Sequence, residues 1–122
     1  MNQDYRILIV DDNPINLDII EEFIDDRCVT CQAESGEEAL SKLDDFKPNL
    51  ILLDVMMPGI DGYETCTEIR ASQNYSNVKV IMISAKAEKD DIKKGFEAGA
   101  DDYVTKPFEE DTLLEVINQY TQ

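Results

Sequence analysis

The chain has 122 residues, of which 43% are hydrophobic and 31% are charged, so it can form one folded domain with a buried core. Asp and Glu outnumber Lys and Arg by 27 to 11, and the net charge of −16 argues against binding to nucleic acid or to an anionic membrane surface. The sequence contains no His, which excludes an imidazole base and His-ligated metal sites within this chain.

The first part of the chain is predicted to alternate strand and helix. The continuous apolar run Ile7–Val10 is typical of a strand covered on both faces, whereas Val29–Ala33 alternates apolar and polar residues as an edge strand does. Asn13-Pro14 predicts the start of a first helix, and Ser35–Glu38 has the capping-box pattern that begins a second. The apolar stripes of these two helices are Leu17, Ile20 and Ile24, and Ala39, Leu40 and Leu43.

The same alternation continues along the rest of the chain. Leu50–Leu53 and Val80–Ile83 are again continuous apolar runs, and the short mixed segment Tyr103–Thr105 suits an edge strand. Gly99 predicts the end of the fourth helix, and Glu109–Asp111 place negative charge in the first turn of the fifth. The apolar residues at helical spacing in the last three helices are Tyr63, Cys66 and Ile69, then Ile92 and Phe96, then Leu113, Val116, Ile117 and Tyr120.

Five strand–helix repeats predict an α/β fold, a five-stranded parallel sheet with helices on both faces. The three apolar strands belong at the centre of this sheet and the two mixed strands at its edges. This distribution favours the strand order 2-1-3-4-5 of flavodoxin-like (βα)5 folds. Because no linker or low-complexity segment interrupts the repeats, residues 1–122 are expected to form a single domain.

Cys28 and Cys31 form a C-x-x-C pattern, which suggests a redox pair or a zinc site. On a strand, however, residues three positions apart point to opposite faces, so these two thiols would diverge. A redox pair also favours a helix N-terminus, and a zinc site needs two further ligands. We therefore expect Cys28, Cys31 and Cys66 to be small buried core residues.

Polar residues stand at the carboxyl ends of four predicted strands. Asp11 and Asp12 follow the first strand, Asp54 the third, Ser84 the fourth and Lys106 the fifth. In an open parallel sheet, ligands bind beyond these ends where the strand order reverses, which here lies between strands 1 and 3. Three clustered carboxylates cannot all stay ionised without compensation, and Mg²⁺ prefers oxygen ligands. The sequence therefore predicts a site for a hard divalent cation at this edge of the sheet.

As a set, these residues resemble the receiver domain of two-component response regulators, the CheY-like family. The resemblance extends from Arg6 to about Tyr120. Its motifs are Asp11-Asp12, Asp54 within Leu-Leu-Asp-Val-Met-Met-Pro-Gly, Asp61-Gly62, Ser84-Ala85, Gly-Ala-Asp-Asp-Tyr at residues 99–103, and Lys106-Pro107.

The resemblance implies that Asp54 accepts a phosphoryl group from a phosphohistidine on a partner, either a sensor histidine kinase or a histidine phosphotransfer protein. It implies that Lys106 pairs with the phosphoryl oxygens. It also implies a site for Mg²⁺ (or Mn²⁺) formed by Asp11, Asp12, Asp54 and the backbone carbonyl of Met56. Such a domain is a signalling module that assists its own phosphorylation and slow self-dephosphorylation, and it is not an enzyme acting on a metabolite.

The resemblance also implies a switch, in which Ser84 hydrogen-bonds the phosphoryl group and Tyr103 changes rotamer with it. Met56 and Lys86 occupy positions that modulate the lifetime of the phosphoryl group in this family. The peptide bond before Pro107 is expected to be cis. The family's usual output surface, from strand 4 to helix 5, corresponds here to Lys86, Lys89, Lys93, Lys94 and Tyr103.

Two other function classes share part of this pattern. A flavodoxin-type FMN binder has the same fold, but Asp11 and Asp12 would repel the phosphate that such a protein binds after its first strand. A phosphatase that works through an aspartyl phosphate needs an acid/base carboxylate near the nucleophile, and Val55 and Met56 offer none.

A soluble, cytoplasmic domain is expected from this sequence. No apolar run approaches the roughly 18 residues of a membrane-spanning helix, and the N-terminus lacks the basic start and apolar stretch of a signal peptide. Two arrangements remain open: a single-domain regulator that acts by binding its output partner, and a receiver that belongs to a larger protein.

Overall fold

The computed structural model describes residues 4–24 and 28–121, which form five strands and five helices in alternation. The strands are Arg6–Val10 (β1), Val29–Ala33 (β2), Leu50–Asp54 (β3), Lys79–Ser84 (β4) and Asp102–Thr105 (β5). The helices are Pro14–Ile24 (α1), Gly36–Phe46 (α2), Gly62–Ala71 (α3), Lys89–Glu97 (α4) and Glu110–Thr121 (α5).

The strands pair in parallel in the order β2-β1-β3-β4-β5, which confirms the predicted α/β class and flavodoxin-like topology. The central strands are buried almost throughout, whereas β2 at the edge is only partly covered. Because successive side chains of a strand point to opposite faces, β1 serves two cores. Ile7 and Ile9 pack toward α1 and α5, and Leu8 and Val10 pack toward α2 and α3.

The helix starts follow the predicted chemistry with one exception. The Asn13 side chain accepts a hydrogen bond from the Ile15 N–H at 2.9 Å, as expected for the N-cap of α1. The Ser35 hydroxyl accepts from the Glu38 N–H at 3.0 Å, but the Glu38 carboxylate accepts from the Glu34 N–H at 2.6 Å. The reciprocal half of the predicted capping box is therefore displaced by one residue.

The apolar stripe predicted for α4 is wrong in part. Phe96 is 47% exposed and Ile92 is half-buried, while Gly95 is the buried residue of this helix. A Cβ atom added at Gly95 would lie 2.9 Å from the Tyr103 ring, so α4 approaches the sheet through Gly95 and Phe96 is turned outward. The predicted end of α4 is confirmed, because Gly99 follows it with a φ of 112°.

The cysteines diverge as their spacing predicts. Cys28 packs with the core beneath α1 and α5, and Cys31 packs against the core on the opposite face of the sheet. Cys31 is only half-buried, because β2 is an edge strand. Burial raises the pKa of the Cys66 thiol to about 11, which keeps it protonated at neutral pH. Within the described ranges, no helix is long and apolar enough to cross a membrane.

Candidate functional site

The parallel sheet brings the predicted site residues to one edge. Asp54 is the last residue of β3 and Ser84 the last of β4, while Asp11 and Lys106 come directly after β1 and β5. Two backbone hydrogen bonds extend the ladders past the strand ends, from the Asp11 N–H to the Ala33 carbonyl at 3.1 Å and from the Lys106 N–H to the Ser84 carbonyl at 2.8 Å. The backbones of Asp11 and Lys106 are therefore hydrogen-bonded to neighbouring strand residues although both lie beyond the strand ends.

Three carboxylates meet at this edge, as predicted. Asp11, Asp12 and Asp54 each place a carboxylate oxygen within 4.8 Å of the others. Asp11 is 2% exposed and Asp54 is 7% exposed, whereas Asp12 is open to solvent. Two of the three negative charges are thus largely removed from water.

Lys106 supplies positive charge beside this cluster. Its ammonium nitrogen lies 3.4 Å from Asp11 Oδ2 and 3.5 Å from Asp54 Oδ1. The Asn13 N–H donates to Asp11 Oδ1 at 2.9 Å, and the Asn16 amide contacts Asp11 Oδ2 at 3.4 Å. From the sequence, Asn13 is assigned only to the start of the first helix and Asn16 to no function, although both closely follow Asp11-Asp12.

The charges of the site affect the pKa of Asp54. Burial, followed by repulsion from Asp11, raises the pKa of Asp54 to about 6, although Lys106 and the N–H of Met56 favour its ionised form. The single ammonium group of Lys106 therefore does not neutralise the negative charge of these carboxylates. The hard oxygen donors and the unbalanced negative charge fit a divalent cation such as Mg²⁺ or Mn²⁺.

The backbone of Lys86 joins Ser84 to Tyr103. The Lys86 N–H donates to the fully buried Ser84 hydroxyl at 3.0 Å, and the Tyr103 hydroxyl donates to the Lys86 carbonyl at 2.7 Å. The sequence assigned a role only to the Lys86 side chain, which is exposed. Because nearly every residue has a backbone N–H and carbonyl, the residue types in the sequence could not have indicated this link.

The loop after β3 is closed tightly on the end of that strand. The Gly62 N–H donates to the Val55 carbonyl at 2.8 Å, and a Cβ atom at Gly62 would lie 2.5 Å from the Asp54 carbonyl oxygen. Met56, within this loop, is 55% exposed beside the carboxylate cluster. The Lys106–Pro107 peptide bond, directly after β5, is cis.

Known proteins share this arrangement. The model of the response regulator receiver domain matches residues 7–118. The chain is 35% identical to the chemotaxis protein CheY of Listeria monocytogenes, over 93% of this chain and 96% of that protein. It is also 37% identical to the DNA-binding response regulator MtrA of Mycolicibacterium smegmatis, over 89% of this chain but only 47% of MtrA, so it spans about half the length of that relative.

A solved receiver-domain structure also matches this chain. The receiver domain of DrrB from Thermotoga maritima, in a BeF₃-activated form, is 33% identical with a TM-score of 0.87, and the match covers 96% of this chain and 97% of that one. Family model, sequence relatives and structural neighbour agree along nearly the entire chain. The chain therefore belongs to the receiver domain family of two-component response regulators.

Proposed function

We propose that Asp54 is the phosphoacceptor of this signalling domain and that residues 1–122 form a single receiver. The observation that supports this most directly is the buried Asp54 carboxylate at the end of β3, 3.5 Å from the Lys106 ammonium. In the reaction, an Asp54 oxygen attacks the phosphorus of a phosphohistidine, the P–N bond breaks, and the imidazole leaves with the partner. The product is an acyl phosphate on Asp54.

The carboxylates of Asp11, Asp12 and Asp54, with the backbone carbonyl of Met56, would hold Mg²⁺ or Mn²⁺. When bound, the cation supplies positive charge that offsets repulsion between the carboxylates and the anionic phosphoryl group. Lys106 contributes the second positive charge, and its position between Asp11 and Asp54 suits pairing with the phosphoryl oxygens.

Ser84 and Tyr103 are proposed to carry the switch. The Ser84 hydroxyl accepts from the Lys86 N–H and Tyr103 donates to the Lys86 carbonyl. A hydrogen bond from Ser84 to the phosphoryl group would draw the Lys86 backbone with it and change the rotamer of Tyr103. The proposed output surface is formed by Lys86, Lys89, Lys93, Lys94 and Tyr103.

The phosphoryl donor is proposed to be a sensor histidine kinase or a histidine phosphotransfer protein in the cytoplasm. The complete absence of His from this chain is consistent with a donor imidazole on the partner. The name of MtrA describes DNA binding by a protein about twice as long, whereas the charge of −16 supports no direct contact of this domain with nucleic acid. Self-dephosphorylation is proposed to be slow because the Met56 thioether is only a weak hydrogen-bond acceptor and the Lys86 ammonium is none, so neither side chain can take a proton from an attacking water.

Replacing Asp54 by Asn removes the nucleophile while nearly keeping its shape. We expect wild-type protein to incorporate phosphate from acetyl phosphate with Mg²⁺ and the Asp54→Asn variant to incorporate none, measured by intact-protein mass spectrometry. Asp45→Asn, an exposed carboxylate on α2, is the matched control and should label like wild type. Undiminished labelling of Asp54→Asn would place the acceptor elsewhere and refute the proposal.

A further inference from the structure

Two tyrosine hydroxyls hold the segment that leads from β4 into α4, residues 86–91. Tyr103 on β5 donates to the Lys86 carbonyl at 2.7 Å, at the start of this segment. Tyr63, in the first turn of α3, donates to the Asp91 carbonyl at 3.1 Å, at its end. The segment is thus attached to the rest of the molecule from two sides, and only the Tyr103 side is part of the function proposed above.

Tyr63 makes two contacts with α4. Its side chain is 5% exposed, and the Lys94 ammonium lies 4.6 Å from the centre of its ring, within the range of a cation–π interaction. Burial, and next the neighbouring Tyr103 hydroxyl, raises the pKa of Tyr63, so its hydroxyl stays protonated and can donate even well above neutral pH. Gly95 is the only buried residue of α4, so the Tyr63 contacts are an important part of what attaches α4 to the rest of the domain.

Tyr63 is also connected to the acceptor backbone. It follows Gly62, whose N–H donates to the Val55 carbonyl at 2.8 Å. A Cβ atom at Gly62 would come within 2.5 Å of the Asp54 carbonyl oxygen and 2.6 Å of the Val55 Cα, so no free space separates the first turn of α3 from the acceptor residue. A displacement of the backbone at residues 54 and 55 toward α3 would therefore press on Gly62, the residue directly before Tyr63.

We propose that Tyr63 is a positioning residue for α4, and that it forms a second link from the acceptor backbone to the output surface beside the link through Ser84 and Tyr103. The consequence for signalling rests on the proposed function of Asp54. The attachment of α4 does not, because it depends only on the contacts of Tyr63 with Asp91 and Lys94.

The Tyr63→Phe variant tests both parts, since it removes the hydroxyl and keeps the ring. Without phosphoryl donor, we expect the amide hydrogens of α4 to exchange roughly three- to tenfold faster than in wild type, as for the loss of one hydrogen bond. With Mg²⁺ and beryllofluoride, the change in α4 exchange should be about twofold smaller than in wild type, because one of two links is cut. Asp54 should take up phosphate as in wild type.

Tyr75→Phe is the matched control. The Tyr75 hydroxyl donates to the Asp44 carboxylate at the opposite end of the sheet, so this variant should leave α4 exchange and the beryllofluoride response unchanged. Wild-type α4 exchange in Tyr63→Phe, or an equal increase in α4 and the central strands, would overturn the positioning role. Faster α4 exchange with an undiminished beryllofluoride response would overturn the link to the acceptor. Lack of phosphate uptake by wild-type Asp54 would instead refute the proposed function, and the comparison without donor would still test Tyr63.

Discussion

At the scale of single residues, Asp54 connects the stability of the domain to its chemistry. Burial and the Asp11 carboxylate raise its pKa from 3.8 to about 6 in the folded protein. Between these two values the folded state binds more protons than the unfolded chain, so the free energy of unfolding falls as the pH rises. The decrease levels off as the pH rises past about 6, and the ionised Asp54 destabilises the metal-free protein at neutral pH.

The Asp54→Asn variant removes this cost. In metal-free buffer at pH 7.5 we expect its free energy of unfolding to exceed that of wild type by about 1–3 kcal/mol, since one pKa unit corresponds to about 1.4 kcal/mol and partial solvation reduces the effect. The gain should vanish near pH 4, where Asp54 is protonated in the folded state. Urea unfolding at several pH values measures this, with the exposed Asp45→Asn as control. A gain that is equal at pH 4 and pH 7.5 would contradict the origin assigned to it.

Met56 is proposed to affect how long the phosphoryl group persists. Hydrolysis of the acyl phosphate requires a water held in line with the phosphorus, and the Met56 thioether is only a weak hydrogen-bond acceptor. We expect Met56→Asn to speed self-dephosphorylation by roughly tenfold, equivalent to about 1.4 kcal/mol in the barrier. Phosphate release after removal of the donor, at saturating Mg²⁺, measures the rate. Met56→Leu keeps an apolar side chain and should match wild type, and an unchanged or slower rate in Met56→Asn would show that another group sets the lifetime.

At the scale of elements, the start of α3 depends on Gly62. A Cβ atom there would meet backbone atoms of Asp54 and Val55 at 2.5 and 2.6 Å, which cannot move aside as a flexible side chain could. We expect Gly62→Ala to lower the free energy of unfolding by about 1–3 kcal/mol, the usual cost of overpacking, and to slow phosphate uptake at Asp54. Chemical denaturation and labelling measure the two effects. Glu68→Ala on the exposed face of the same helix should change neither, and a fully stable Gly62→Ala protein would contradict this account of the turn.

The elements also show what the sequence could predict. The strands were predictable because continuous apolar runs have few alternatives, and the carboxylate cluster because polar residues end those runs where a parallel sheet gathers them. The ends of the strands were harder to predict, because Asp54, Lys79 and Ser84 belong to strands although their polar side chains interrupt the apolar runs. The approach of α4 through Gly95 and the backbone link through Lys86 could not be predicted, because both depend on distances between elements and on atoms that every residue has.

At the scale of the whole molecule, one charge distribution affects both stability and recognition. The chain has a net charge of −16, and among the residues that the structure describes, the buried charged side chains are Asp11 and Asp54. Added cations can therefore stabilise the domain in two ways: by screening the general repulsion, and by binding to the carboxylate cluster. Screening depends on ionic strength and on no single carboxylate, whereas binding to the cluster depends on a divalent charge and on the individual carboxylates of the cluster.

Mg²⁺ is accordingly expected to raise the melting temperature more than a monovalent salt of equal ionic strength. A cation that binds only the folded state at about 100 times its Kd adds about 2.7 kcal/mol to the free energy of unfolding. Thermal unfolding with MgCl₂ or with matched NaCl separates site binding from screening. Asp12→Asn should reduce the Mg²⁺-specific part because it removes a carboxylate of the cluster, whereas the exposed Asp45→Asn should retain it. Equal shifts with the two salts, or an undiminished Mg²⁺-specific shift in Asp12→Asn, would mean that the cation acts on the net charge and not on the cluster of Asp11, Asp12 and Asp54.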